Sequence, residues 1–265
     1  MSDNSPFETN HVCFPLPDGG LSTTAFKESR LTEPPPSKAL IENRVTADGP
    51  PDDLLYGLTT RGAEALSRFV PTLMCGEESA VHVFQKEARR TDAIGRAASG
   101  SLLAQIAAEE VKHEMLLGLL RSRLPVSDDL ATLRRRARFF FFRLASRDPL
   151  IHFARIVGLD GGVCITLSSL LHPSGALAKA PRISQIWRRI WLDEARHVRI
   201  SRRHVVDLGI AQTRLMEEGL QVRASLADLL RPLGDDFENM GIDPDRLFRR
   251  VAGSEEDGAG AVSTR

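Results

Sequence analysis

Four stretches of the chain repeat apolar and acidic residues at three- and four-residue spacing. Leu66, Val70, Leu73, Glu77/Glu78, Val81 and Phe84 form the first, and Leu103, Ile106, Glu110, His113, Leu117 and Leu120 the second. Ile156, Asp160, Cys164, Leu167 and Leu171 form the third. The fourth is Trp187, Ile190, Trp191, Glu194, Val198, Ser201, Val205 and Leu208. Such spacing returns to one face on each turn, so each stretch predicts an amphipathic helix. Pro71 predicts a kink in the first. The fourth should end near Gly209, and a further helix over roughly 211–231 should stop before Pro232. No window alternates as a strand does, and no Gly-rich phosphate loop interrupts the pattern.

The connections order these helices. Asp92 through Gly100, and Pro173 through Pro181, are short enough to join antiparallel neighbours. The stretch 123–148 is much longer and suits a crossover along the bundle, with its own short helix across 128–146. Its run from Arg134 to Arg143, with Phe139 to Phe142 inside it, reads as an amphipathic helix with snorkelling arginines, not as a nucleic-acid or membrane patch. Two hairpins and a long crossover predict an all-α four-helix bundle over 56–250, with an additional C-terminal helix. Residues 1–55 hold eight of the 15 prolines and predict an extended or disordered arm. Residues 251–265 predict a disordered tail.

Composition narrows the function classes. The 265 residues are 42% apolar and 26% charged, with no net charge, so no global field favours nucleic acid or an anionic membrane. Cys13, Cys75 and Cys164 are too scattered for a disulfide framework or zinc ribbon. No window of 18 uncharged apolar residues predicts a membrane span, and the N-terminus lacks a signal-peptide pattern. A cytoplasmic location is the expectation.

The chemistry lies in two repeated spacings. Glu110-Val-Lys-His113 and Glu194-Ala-Arg-His197 each place a carboxylate and an imidazole on one helical face, in phase with the apolar stripe. A buried, unpaired carboxylate costs several kcal/mol, so two such inward pairs call for a cation or for each other. Residues equidistant from an antiparallel turn meet at one height. With the first turn centred near Ile94, the 16 residues back from Glu110 are matched by 16 more that reach Glu78. With the second near Ala176–Leu177, Glu194 is matched by Asp160, the only acidic residue between Asp148 and Asp193. Glu78 fits the separation and Glu77 fits the apolar stripe, so Glu77 stays open as the alternative ligand. Four carboxylates and two histidines suit two first-row divalent metals, iron ahead of manganese, better than zinc or copper.

Glu109-Glu110-Val-Lys-His113 and Asp193-Glu194-Ala-Arg-His197 resemble the paired (Asp/Glu)-Glu-x-(Arg/Lys)-His motifs of ferritin-like di-iron carboxylate proteins. The resemblance covers about 60–210 in architecture and six ligand positions in detail. It implies a ferritin-like bundle with metal ligands Glu78, Glu110, His113, Asp160, Glu194 and His197. It also implies that Asp193 orients His113, that Glu109 orients His197, and that Arg196 and Lys112 neutralise these outer acids. Asp160 stands where most members carry Glu. Gly161-Gly162 beside it costs about 2 kcal/mol of helix propensity and suggests a bulge or an open cavity near the metals. Tyr56, the only tyrosine, precedes the first bundle helix, which disfavours a tyrosyl radical. His82 and His204 read as surface or hydrogen-bonded groups, Glu87 as a surface residue, and Trp187 and Trp191 as core.

The expected function is an O2-activating di-iron oxidoreductase, an oxygenase or oxidase. It would act on a small-molecule organic substrate with O2 and an external electron donor. A ferroxidase or iron-handling protein is the first alternative, and a non-catalytic helical interaction protein the second. No nucleic-acid or membrane partner is expected, and a homodimer is compatible with the chain.

Overall fold

The computed structural model describes residues 54–254. The Pro-rich arm before Leu54 and the tail after Ser254 lie outside the described residues. Every regular element among the described residues is helical. The helices are α1 (Thr60–Ala93), α2 (Ala97–Arg121), α3 (Leu130–Leu144), α4 (Pro149–Leu170), α5 (Pro181–Asp207), α6 (Gln212–Leu230), α7 (Gly234–Asn239) and α8 (Pro244–Ala252).

Local chemistry sets the boundaries. The Thr59 hydroxyl accepts from the Gly62 N–H at 3.0 Å and caps α1. Asp148 caps α4 through the Leu150 N–H at 2.9 Å, with Pro149 following at the first helical position. Asp243 and Pro244 repeat that arrangement at α8, and Gly253 ends it in a left-handed conformation. Gly95, at φ +79°, makes the three-residue turn between α1 and α2. The first helix runs on through Pro71, which is buried, to a length of 34 residues.

α1 and α2 pair as one hairpin and α4 and α5 as another. α2 packs on α5, and α3 crosses over α1. α6 and α8 pack on α4, whose outer face is built for close approach. A Cβ on Gly158 would lie 2.5 Å from the Gly219 Cα, and one on Gly162 would lie 2.7 Å from a Leu226 methyl carbon. Of the bulge or open cavity expected at Gly161-Gly162, the bulge is absent: α4 is unbroken there, and Gly162 makes room for α6. By length and composition α4 could cross a membrane, with a mean hydropathy of 1.5, yet α5, α6 and α8 pack on it and it carries the buried Asp160. The helices α7 and α8, which follow Pro232, carry no clear periodic signal because each is under three turns long.

The core is divided in two. One part gathers Leu66, Leu73, Leu117, Leu159, Leu167 and Trp187; the other gathers Phe84, Leu103, Ile106, Phe153 and Val205. Glu77, Glu110, His113, Asp160, Glu194 and His197 interrupt the apolar face of four helices between those two parts. A polar layer thus crosses the middle of a hydrophobic interior.

Candidate metal centre

Each of the four helices contributes to this layer at its own inward position. α1 supplies Glu77, α2 supplies Glu110 and His113, α4 supplies Asp160, and α5 supplies Glu194 and His197. All six are buried, none more than 8% exposed. One oxygen or nitrogen from each of Glu77, Glu110, His113 and Glu194 lies within 4.8 Å of the others, a grouping able to hold a metal ion.

The geometry resolves into two halves. His113 Nδ1 lies 3.3 Å from Glu77 Oε2, 3.4 Å from Glu110 Oε2 and 3.5 Å from Glu194 Oε1. His197 Nδ1 lies 3.0 Å from Glu110 Oε1 and 3.8 Å from Glu194 Oε2. Glu110 and Glu194 therefore each offer one oxygen to each imidazole and span the pair. Glu77 belongs to the His113 half. Asp160 has no ion-paired partner there, and its Oδ2 is buried without a hydrogen bond. The two imidazole rings stand 5.8 Å apart, their planes inclined by 29°.

The far side of each imidazole is tied down. His113 Nε2 lies 3.3 Å from Asp193 Oδ2, and His197 Nε2 lies 3.0 Å from Glu109 Oε2. An ionised carboxylate only accepts, so each Nε2 carries its proton and each Nδ1 faces the centre. Arg196 bonds Glu109 and reaches Asp193 at 3.4 Å, while Arg189 bonds Asp193 at 2.9 Å and Gln105 bonds Glu109 at 3.2 Å. Arg189 was not singled out from the sequence, although its place four residues before Asp193 was a legible ion-pair spacing. Lys112, expected to neutralise an outer acid, is exposed.

Electrostatics separates inner from outer acids. Burial, and then the charge of Glu110, raise the Glu77 carboxyl well above the usual range. Burial followed by Glu194 and Glu110 does the same to Asp160, and burial followed by Glu110 raises Glu194. Burial opposes charge on the histidines too, but the carboxylates of Asp193 and the inner glutamates around it hold His113 protonated, and the nearby Glu110 carboxylate lifts His197 to about 9. Outside, burial is outweighed at Asp193 by His113 and Arg189, which bring it down to about 2. Hydrogen bonds from His197 and Arg196 likewise outweigh burial and lower Glu109. The inner layer thus carries too little positive charge for its carboxylates, and protons fill the place of a cation.

That is the basis for asking whether metal fits. His113 Nδ1, His197 Nδ1 and Asp160 Oδ2 are buried inside the layer without hydrogen-bond partners. Orphaned buried polar atoms are costly unless something supplies the missing partner. Four carboxylates balance two divalent cations when the histidines are neutral, and oxygen donors with imidazole suit first-row metals. The buried group of Glu77, Glu110, His113 and Glu194 could hold a metal ion.

The expected ligand Glu78 is corrected. It is only half-buried and takes no part in the cluster, where Glu77 is 3% exposed. Equidistance from a turn sets height along a helix to about one residue, but each residue also rotates the side chain by about 100°. Glu77 continues the inward stripe of Leu73 and Phe84; its neighbour points elsewhere. Glu87, expected at the surface, is 4% exposed and bound to His204 and Arg90. His82 is exposed.

A cavity of about 60 Å³ opens against the centre. Glu77, Glu110, Asp160 and Glu194 form one side, and Val83, Phe84, Phe141, Leu144, Ile156 and Leu159 line the rest. Gly76 leaves room for Phe141, whose ring would stand 3.0 Å from an added Cβ. His152 also lines it, donating from Nδ1 to the Leu144 carbonyl at 3.3 Å, with burial lowering its pKa. Spacing alone does not mark Phe141 for this cavity, since only the crossing of α3 over α1 carries it to the centre.

No protein-family model, no curated protein and no solved structure matches this chain.

Proposed function

We propose that the protein is a ferritin-like di-iron carboxylate oxidoreductase that uses O2 on a small organic substrate. The observation that carries this reading is the crossed pair of imidazoles. Each is held from behind by an acid of the opposite motif and points its other nitrogen into a ring of four carboxylates. Glu77, Glu110, His113, Asp160, Glu194 and His197 would hold two iron ions, with manganese as the alternative. Iron held there supplies redox chemistry toward O2, with electrons from an external donor.

The chain's own residues do the rest. Glu110 and Glu194 reach both halves and keep them at a common spacing. Asp193 and Glu109 fix the ring orientation and tautomer of the histidines. Arg189 and Arg196 keep those outer acids ionised so that they go on accepting. The apolar wall of the cavity keeps bulk water from the centre and admits an apolar group beside the carboxylates. That wall is what favours an organic substrate over iron storage, since hydrated iron gains nothing from contact with Phe84, Phe141 and Leu159.

The test is metal loading followed by oxidation. Protein loaded with ferrous iron without oxygen should hold about two ions per chain and consume O2 on exposure, without mineral growth. Glu194→Ala should lose most of the metal. Absence of tight metal binding in the parent protein sinks the reading, and rapid mineral formation replaces it with ferroxidase chemistry.

A further inference from the structure

A groove of about 510 Å³ runs over the surface between α3 and α6. Arg136 and Arg143 of α3 and Arg155 of α4 line it, together with the rings of Phe139 and Phe140. Arg136 and Arg143 are exposed, and neither has a carboxylate partner among the described residues. The Arg143 guanidinium lies over the Phe139 ring at 5.7 Å. Arg155 is shared between Glu218, at 2.8 Å, and the Leu144 carbonyl, at 3.4 Å. The one carboxylate lining the groove, Asp228, is bound by Arg231 at 3.0 Å. At Arg136 and Arg143 the groove therefore presents unneutralised positive charge over an apolar floor.

Its position matters more than its charge. Leu144 lines both the groove and the cavity at the metal centre. Phe141, three residues earlier on α3, lines both that cavity and a second, mostly apolar space of about 30 Å³ reaching Leu226 and Leu229. Leu229 in turn also lines the groove. One layer of side chains thus separates an arginine-lined surface from the buried carboxylates. The Leu144 carbonyl is where α3 is pinned, accepting from both His152 Nδ1 and Arg155 Nη1.

We propose that the substrate is an apolar chain with an anionic head. Arg136 and Arg143 hold the head in the groove while the chain passes Leu144 into the candidate metal cavity. The proposal rests on the di-metal reading of the centre and adds the class of molecule that reaches it. A carboxylate and a phosphate ester are the two heads that guanidinium groups bind by paired hydrogen bonds. Without such a head an apolar molecule gains nothing from the arginines, and without an apolar chain an anion has no reason to pass Leu144.

The measurement is binding of decanoate, decyl phosphate and decanol to the full-length protein, metal-free and cobalt-loaded, at low and high salt. Decanoate or decyl phosphate should bind at least about tenfold more tightly than decanol, and salt should erase the difference. Whichever anion is preferred names the head. Arg136→Glu with Arg143→Glu should abolish the preference while leaving decanol binding and metal content unchanged. Decanoate should perturb the visible bands of the bound cobalt. Leu144→Trp should remove that perturbation without loss of decanoate affinity, and Leu144→Ala should enlarge it. Equal binding of decanoate and decanol, no binding of any probe, or no effect of charge reversal overturns the proposal. Failure of the di-iron reading would show separately, as absent O2 uptake with the anion preference intact.

Discussion

Two buried Glu–His clusters lie on the same helices, and they differ in one respect. Around Glu87, His204 of α5 approaches from one side at 2.6 Å, and Arg90 closes the other at 2.7 Å. The second nitrogen of His204 meets the Ser99 hydroxyl at 3.0 Å. Neither residue has an unsatisfied side-chain atom. Burial alone would raise Glu87, but Arg90 and His204 outweigh it and lower its pKa. At the candidate metal centre, four carboxylates face two histidines, and no arginine among the described residues reaches inside. Glu77, Asp160 and Glu194 are raised and both Nδ1 atoms are orphaned. Burial and residue types are alike; charge balance is not. A buried carboxylate matched by a guanidinium is complete as structure, whereas an excess of carboxylates turned toward one another defines a cation site.

The comparison can be broken most strongly at Glu77. Glu77→Ala should weaken metal binding by more than about 100-fold, since changes one shell further out already cost about 10–100-fold. Glu78→Ala should leave metal content and affinity unchanged in the same titration. Equal effects would remove the distinction between the buried and the half-buried glutamate.

Glu109→Gln should cost about 10–100-fold in metal affinity, because an amide can turn its N–H toward His197 Nε2 and disturb the tautomer. An affinity within twofold of the parent would mean that Glu109 only partners Arg196.

Glu87→Gln should leave metal stoichiometry unchanged but lower folding stability by about 1–3 kcal/mol, as expected when a buried charged hydrogen-bonding group is removed. Chemical denaturation of the metal-free protein measures it. A loss of metal instead would make the Glu87 cluster part of the centre.

The smallest expected effect is on pH dependence. Glu77, Asp160, Glu194 and both histidines have pKa values raised by folding, while Glu110 is lowered, so above the ordinary carboxylate range the metal-free centre binds more protons folded than unfolded. Its melting temperature should therefore fall as pH rises from the ordinary carboxylate range toward about 9, where His197 loses its proton. Bound metal requires the deprotonated ligands, so the melting increment on adding metal should grow over the same range. A metal-free protein whose stability rises with pH there contradicts the acid excess.

The sequence by itself determined the helices as far as α6 and most of their order. Three- and four-residue spacing placed α1, α2, α4 and α5, and the unequal connections marked α3 as the crossover. Periodicity also showed that Glu110, His113, Asp160, Glu194 and His197 share the apolar faces, because a helix fixes which residues lie on one side. What it left undetermined depends on rotation and contact between helices. Glu77 and Glu78 have almost the same height and differ only in direction. Gly158 and Gly162 read as weak points in a helix until α6 lies against them. Glu87 looked solvated until His204, 117 residues away, arrived beside it. Local spacing records which residues leave a helix on one side. Whether a buried charge there is answered by an arginine, a histidine or an ion is decided by what the neighbouring helices bring to the same height.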